Sequence, residues 1–151
     1  MTDDDAEVRQ EIFIEASPQT VFSLLTEASG LREWMADVVE AEPRPGGRFY
    51  ISGPPEAAIE GTYLEVTPHT KVVFTWGGVE GLAPGQTVVE FELEAEGDGT
   101  LLRLRHHRLP RPAVDPHRQG WASGLVKLQA AAEGRPPASR CLSEIAAGHR
   151  A

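Results

Sequence analysis

The sequence predicts an α+β domain in which a curved antiparallel sheet closes on one long C-terminal helix. Three observations carry that expectation. Gly61-Thr62-Tyr63-Leu64-Glu65-Val66 leads to Val73-Phe74-Thr75-Trp76, two strand-like stretches rich in rings. Gly99-Thr100-Leu101-Leu102-Arg103-Leu104-Arg105-His106 repeats the strand alternation. Gly120-Trp121 with Leu125 and Leu128 then supplies an amphipathic helix after all the strands. That order lets a sheet grip a helix, with a cavity between them.

Residues 1–7 read as an acidic, solvated tail. In residues 8–15, Val8, Gln10, Ile12 and Ile14 alternate with Arg9, Glu11, Phe13 and Glu15. A period of two is that of a strand with one buried face, interrupted on its polar side by Phe13. Ser17-Pro18 provides an N-cap followed by proline at the first helical position, and Val21, Phe22, Leu24 and Leu25 give a short helix ending near Thr26. After Gly30, the spacing of Leu31, Trp34 and Met35 predicts a second short helix.

Residues 38–42 read as a strand, stopped by Pro43-Arg44-Pro45-Gly46-Gly47. Residues 48–52 and 57–66 form a hairpin around Gly53-Pro54-Pro55, and Thr67-Pro68-His69-Thr70 turns the chain into a strand over 71–76. Residues 77–85 are a glycine-containing loop. Between 86 and 96 the apolar Val89, Phe91, Leu93 and Ala95 alternate with Glu90, Glu92, Glu94 and Glu96, the cleanest strand pattern in the chain. Asp98-Gly99 makes the hairpin turn, after which Thr100, Leu102, Leu104 and His106 share one face. Arg103, Arg105 and His107 face the other way, so acidic and basic residues on the two outer faces invite cross-strand pairs. Asp115-Pro116 is the expected start of the last long helix, whose stripe of Trp121, Leu125, Leu128 and Ala132 runs to Gly134. Residues 135–151 read as a C-terminal extension in which Leu142 and Ile145 suit a short extra helix.

Composition narrows the classes of function. At 151 residues the chain fits one domain, expected over 8–134, that buries roughly two-thirds of its unfolded surface. The net charge of -9 and isoelectric point near 5.0 argue against nucleic acid and against anionic membranes. No apolar run approaches the ~20 residues of a membrane span. Met1-Thr2-Asp3-Asp4-Asp5 is acidic where a secretory signal would be basic and then apolar, and the single Cys141 suits a reducing compartment, so the expected location is the cytoplasm. The excess of Arg over Lys, with only Lys71 and Lys127, suggests a GC-rich bacterial genome.

The pieces Ala16-Ser17-Pro18 with Val21-Phe22, Leu31 with Trp34, Gly46-Gly47-Arg48-Phe49, Gly61-Thr62-Tyr63, Pro68 with Val73-Phe74-Thr75-Trp76, Gly99-Thr100 with Leu102, Leu104 and His106, and Gly120-Trp121 occur in one order. In that order the chain resembles the Bet v 1-like/START (SRPBCC) superfamily over about residues 8 to 132. It looks most like the branch named after the activator of the Hsp90 ATPase. The resemblance implies a helix-grip fold: a seven-stranded antiparallel sheet wrapped around the C-terminal helix, with a hydrophobic cavity. It also implies a functionally diverse family that includes lipophilic ligand carriers, polyketide cyclases, resistance proteins for reactive natural products and co-chaperone modules. Fold does not choose among these.

Trp34, Phe49, Tyr63, Phe74, Trp76, Phe91, His106, Trp121 and Leu125 are the candidate ligand-binding residues. The same side chains would build a plain core, because rings dominate cores and apolar pockets alike. His106 is the sharpest polar candidate: its strand phase turns it toward the helix, where its ring nitrogens need partners. A metal site from His106, His107 and His117 is disfavoured, since adjacent strand residues point to opposite faces. No Gly-x-Ser-x-Gly element or phosphate loop is present, and neither a cofactor nor a metal is expected.

The leading expectation is therefore a binding protein for a small hydrophobic or aromatic molecule held between sheet and helix. The alternatives are a polyketide cyclase or dehydratase with His106 as acid or base and Tyr63 as proton donor, or a resistance protein that sequesters a reactive natural product. A chaperone-stimulating module ranks last, and Phe13 with the outer strand faces suits a homodimer.

Overall fold

The computed structural model describes residues 6–53, 57–79 and 82–135. The start of the acidic tail, the turn at Pro54-Pro55, Cys141 and the extension from residue 136 lie outside the described residues.

Strand β1 (Ala6–Ile14) leads into α1 (Pro18–Thr26) and α2 (Ala28–Trp34). Ser17 begins α1 with extended backbone, and its hydroxyl accepts from the Thr20 N–H at 3.2 Å while Pro18 fills the first turn. Six strands follow: β2 (Val38–Ala41), β3 (Arg48–Gly53), β4 (Ala57–Thr67), β5 (Lys71–Trp76), β6 (Thr87–Glu96) and β7 (Gly99–Leu109). They form one antiparallel seven-stranded sheet in the order β1-β7-β6-β5-β4-β3-β2, so the first strand closes back on the last. The long helix α3 (Arg111–Ala132) completes the helix-grip architecture that the residue pattern predicts.

That helix begins five residues earlier than the sequence suggests. Pro112 occupies its first turn, where the missing N–H costs nothing, and Pro116 lies inside the helix as a second proline. A proline at a helix start is the simplest reading of Pro116, but that position belongs to Pro112, and Pro116 follows one turn further in.

Alternation sets which side chains face α3. In β5 the inward residues are Val72, Phe74 and Trp76; in β6 they are Thr87, Val89, Phe91 and Leu93; in β7 they are Leu102, Leu104 and His106, all buried. The register places Val89 opposite His106 and Trp76 opposite Thr87, which gathers the polar side chains at one end of the sheet. A bulge between Ala6 and Val8 lets β7 take Arg108 into a left-handed conformation, φ 65°, before the chain turns into α3.

The outer face carries the expected charge ladder. Arg103 bridges Glu94 at 2.9 Å and Glu11 at 3.5 Å, Arg105 bridges Glu7 at 2.9 Å and Glu90 at 3.4 Å, and His107 meets Glu90 at 2.7 Å. The Arg103 pairs are solvated and contribute little individually, while the pairs of Arg105 and His107 with Glu90 are partly buried. Phe13 is 39% exposed, and its ring lies where a Cβ on Gly99 would sit, 2.5 Å from Cζ. An aromatic ring covering a strand glycine explains that exposure locally. No helix among the described residues is long and apolar enough to cross a membrane.

Candidate functional site

Helix α3 packs its backbone against β1, α1 and α2, and large rings fill its approach to the middle strands. Phe49 and Tyr63 stand 5.7 Å apart edge to face, Phe49 stacks on Phe74 at 4.1 Å, and Phe74 meets Phe91 at 6.1 Å. From the helix, Trp121 reaches Trp76 at 5.2 Å and Phe91 at 5.8 Å. Each such contact adds about 0.5–1.5 kcal/mol beyond the area buried. Seven of the nine sequence-predicted site residues thus form one continuous ring system, and the space between Trp76, His106 and Trp121 is occupied by their own side chains.

The other two sit differently. Trp34 is buried at the α1–α2 junction, where its indole N–H donates to the Leu24 carbonyl at 2.8 Å. Leu125 is buried one turn beyond Trp121. Tyr63 shares the capping role of Trp34: its hydroxyl donates to the Leu25 carbonyl at 3.4 Å, so two rings satisfy carbonyls that the end of α1 would leave unpaired. Burial pushes the Tyr63 phenol well above its ordinary range.

The polar groups form a directed chain whose proton positions follow from one fact. An indole N–H can only donate. Trp121 Nε1 bonds His106 Nδ1 at 2.9 Å, so Nδ1 is the unprotonated acceptor and the His106 proton is on Nε2. That Nε2–H donates to Thr87 Oγ1 at 2.7 Å, and the Thr87 hydroxyl donates to the Trp76 carbonyl at 2.7 Å. Trp76 Nε1 in turn donates to His117 Nε2 at 3.3 Å, which leaves the His117 proton on Nδ1, donating to the Ala113 carbonyl at 2.9 Å. Both imidazoles are neutral. Protonating either would set two N–H groups head to head.

Burial, the nearby His117 and the adjacent His107 hold the His106 pKa well below its ordinary value. No buried side-chain nitrogen or oxygen lacks a partner among the described residues. The described residues contain no cluster of three groups able to hold a metal ion.

Two members of this chain escaped the sequence reading. Thr87 is in phase with Val89, Phe91 and Leu93, so its inward direction was available from the alternation. His117 precedes Trp121 by four residues and extends the buried stripe by one turn. That spacing, His117 to Trp121 to Leu125 to Leu128, is the signal in the sequence that places its ring on the buried stripe.

A cavity of about 410 Å³ opens on the opposite, outer face of the sheet beside Glu42, Arg48, Glu60, Thr62, Thr75 and Pro84. Its charges already pair, Arg48 with Glu40 at 3.2 Å and with Glu60 at 3.5 Å.

A seven-stranded sheet curved around a C-terminal helix, with a ring-lined interior, defines a helix-grip domain. The chain belongs to the Activator of Hsp90 ATPase homolog 1-like protein family, whose sequence profile matches residues 15–133. The AHSA1-like protein RHE_CH02687 from Rhizobium etli is 34% identical, with 89% of this chain and 86% of that one covered and a TM-score of 0.71. MLL2253 from Mesorhizobium loti is 23% identical over 87% of this chain and 100% of that one, TM-score 0.78. The Aha1 protein from Colwellia psychrerythraea, solved as a dimer, is 21% identical over 85% of this chain and 96% of that one, TM-score 0.74. Among curated proteins, none matches.

Proposed function

We propose that the protein binds a small, largely aromatic molecule between α3 and the middle strands, with Phe74, Trp76, Phe91, His106 and Trp121 around it. The gap is filled by these side chains, so binding requires the rings to turn aside, and the observation that supports this reading is the chemical make-up of that filling. The middle strands meet the helix through rings and through a hydrogen-bonded chain of neutral groups, with no charge to desolvate. Rings that turn aside expose an apolar, flat-walled space with a few oriented polar groups, the composition of small-molecule sites.

Acid–base catalysis is less well supported by the same geometry. Both ring nitrogens of His106 are engaged, and the Tyr63 hydroxyl is directed at Leu25 with its proton held tightly. A cyclase or dehydratase would need one of these groups presented to substrate.

The test is a titration of the protein with aromatic, polyketide-like and fatty acyl compounds, following the indole N–H signals of Trp76 and Trp121 by NMR. Saturable shifts confined to these signals and their neighbours are expected with an aromatic class. A well-dispersed spectrum that no compound perturbs would make the ring system a plain core and sink the reading.

A further inference from the structure

Two hydrogen bonds of the polar chain cross from helix to sheet, and they share one chemistry. At the first, the helix supplies the donor, Trp121 Nε1–H to His106 Nδ1 at 2.9 Å. At the second, the sheet supplies it, Trp76 Nε1–H to His117 Nε2 at 3.3 Å. The remaining links stay within a layer: His106 to Thr87 and Thr87 to the Trp76 carbonyl inside the sheet, His117 to the Ala113 carbonyl inside the helix. Parting α3 from the middle strands therefore breaks the two indole–imidazole bonds of this polar chain, while Gln10 and Gln129 tie the helix separately to β1. Each indole–imidazole junction then presents an N–H donor facing an unprotonated imidazole nitrogen.

A molecule that enters must repair both junctions, because each buried group left bare forfeits about tenfold or more in affinity. The repairing group has to accept from the indole and donate to the imidazole. A ketone or ether only accepts, and an ammonium only donates. A hydroxyl does both. The rings that carry the two junctions are neighbours: the centroids of Trp76 and Trp121 are 5.2 Å apart, and those of His106 and His117 are 5.0 Å apart. Junctions on neighbouring rings can be reached together by two hydroxyls on nonadjacent carbons of one small aromatic molecule, and Phe91 and Phe74 supply flanking ring surfaces.

Resting on the binding reading above, we propose that the ligand is an aromatic diol with nonadjacent hydroxyls, one inserted between Trp121 Nε1 and His106 Nδ1 and the other between Trp76 Nε1 and His117 Nε2. Trp76 and Trp121 read the hydroxyl oxygens, and His106 and His117 read the hydroxyl hydrogens. Thr87 and the Ala113 carbonyl act one step back, holding each imidazole in its accepting tautomer.

The wild-type protein is titrated with three probes of one ring system: naphthoresorcinol, its dimethyl ether, and naphthalene. Indole N–H and imidazole nitrogen signals are followed by NMR. Naphthoresorcinol is expected to bind at least about tenfold more tightly than either analogue, and to shift the signals of both junctions. If all three bind within about threefold of one another and move the ring signals, the hydroxyl inference falls while the binding reading stands. If naphthoresorcinol shifts signals only elsewhere in the protein, the inference falls. Absence of binding by all three overturns the inference together with the aromatic-ligand reading on which it rests.

Discussion

His106 enters the fold without a charge, and that choice has a thermodynamic consequence. Its pKa lies well below the ordinary value because of burial first, then His117 and His107, whereas in the unfolded chain it returns to about 6.5. Below about pH 6.5 the unfolded chain binds a proton that the folded protein refuses, so this contribution to stability is fully present above that pH and is lost as the pH falls. The slope is at most about 1.4 kcal/mol per pH unit for the one group. Urea denaturation at a series of pH values should show it, and His106→Gln should flatten it. Glutamine keeps an acceptor for Trp121 and a donor for Thr87 but cannot titrate; an unchanged slope in that variant would assign the effect to another group. Trp121→Phe keeps the ring and deletes the N–H, leaving His106 Nδ1 buried and bare, and is expected to cost about 1–3 kcal/mol by the same measurement. The inward direction of His106 was legible from strand phase alone. Its partners were not, because Thr87 and Trp121 come from other elements that only the sheet register and the helix docking bring within bonding distance.

Between β4 and β5 the backbones approach too closely for any side chain at Gly61. A Cβ there would lie 1.9 Å from the Thr75 carbonyl oxygen, and the Thr62 N–H is satisfied by the Thr75 hydroxyl at 2.8 Å. The obstacle is backbone, so it cannot swing aside. Gly61→Ala should lower the free energy of unfolding by about 1–3 kcal/mol, and a denaturation midpoint within error of the wild type would show that the strands separate there at no cost. The helix ends rest on milder effects. Ser17→Ala removes the acceptor of the Thr20 N–H and is expected to cost about 1 kcal/mol. The sequence of elements and the Ser-Pro start of α1 could be read from local chemistry, whereas the β6–β7 hairpin turns one residue earlier than Asp98-Gly99 suggests: Gly97, at φ 59°, and Asp98 form the loop, and Gly99 already pairs with Glu96. The start of α3 could not be read locally: whether Pro112 and Pro116 both fit within one helix depends on the docking of Ala113, His117 and Trp121 against the sheet, which local signals do not contain.

Across the whole molecule, the ambiguity between core and pocket has a physical root. Both demand the same rings in the same phase, and the difference lies in whether α3 can part from the sheet. The two halves of that helix are held unlike each other. Toward its C-terminal end Leu125 and Leu128 are buried, Gln129 donates to the Phe13 carbonyl at 2.8 Å, and the carboxylate of Glu133, just past the end, accepts from the Glu15 N–H at 2.8 Å. The N-terminal half also buries Ala113, His117 and Trp121, but it has no side-chain cap, holds two prolines, and its bonds to the sheet include the two indole–imidazole pairs and the Gln10 contact to the Arg118 carbonyl. Local opening follows such differences in packing and bonding. Hydrogen exchange should therefore show the amides of residues 117–121 exchanging about tenfold faster than those of 124–130, with naphthoresorcinol slowing the first group and leaving the second unchanged. Equal protection along the helix would mean that α3 opens only as one body with β1, and access to the rings would then have to come from the sheet side.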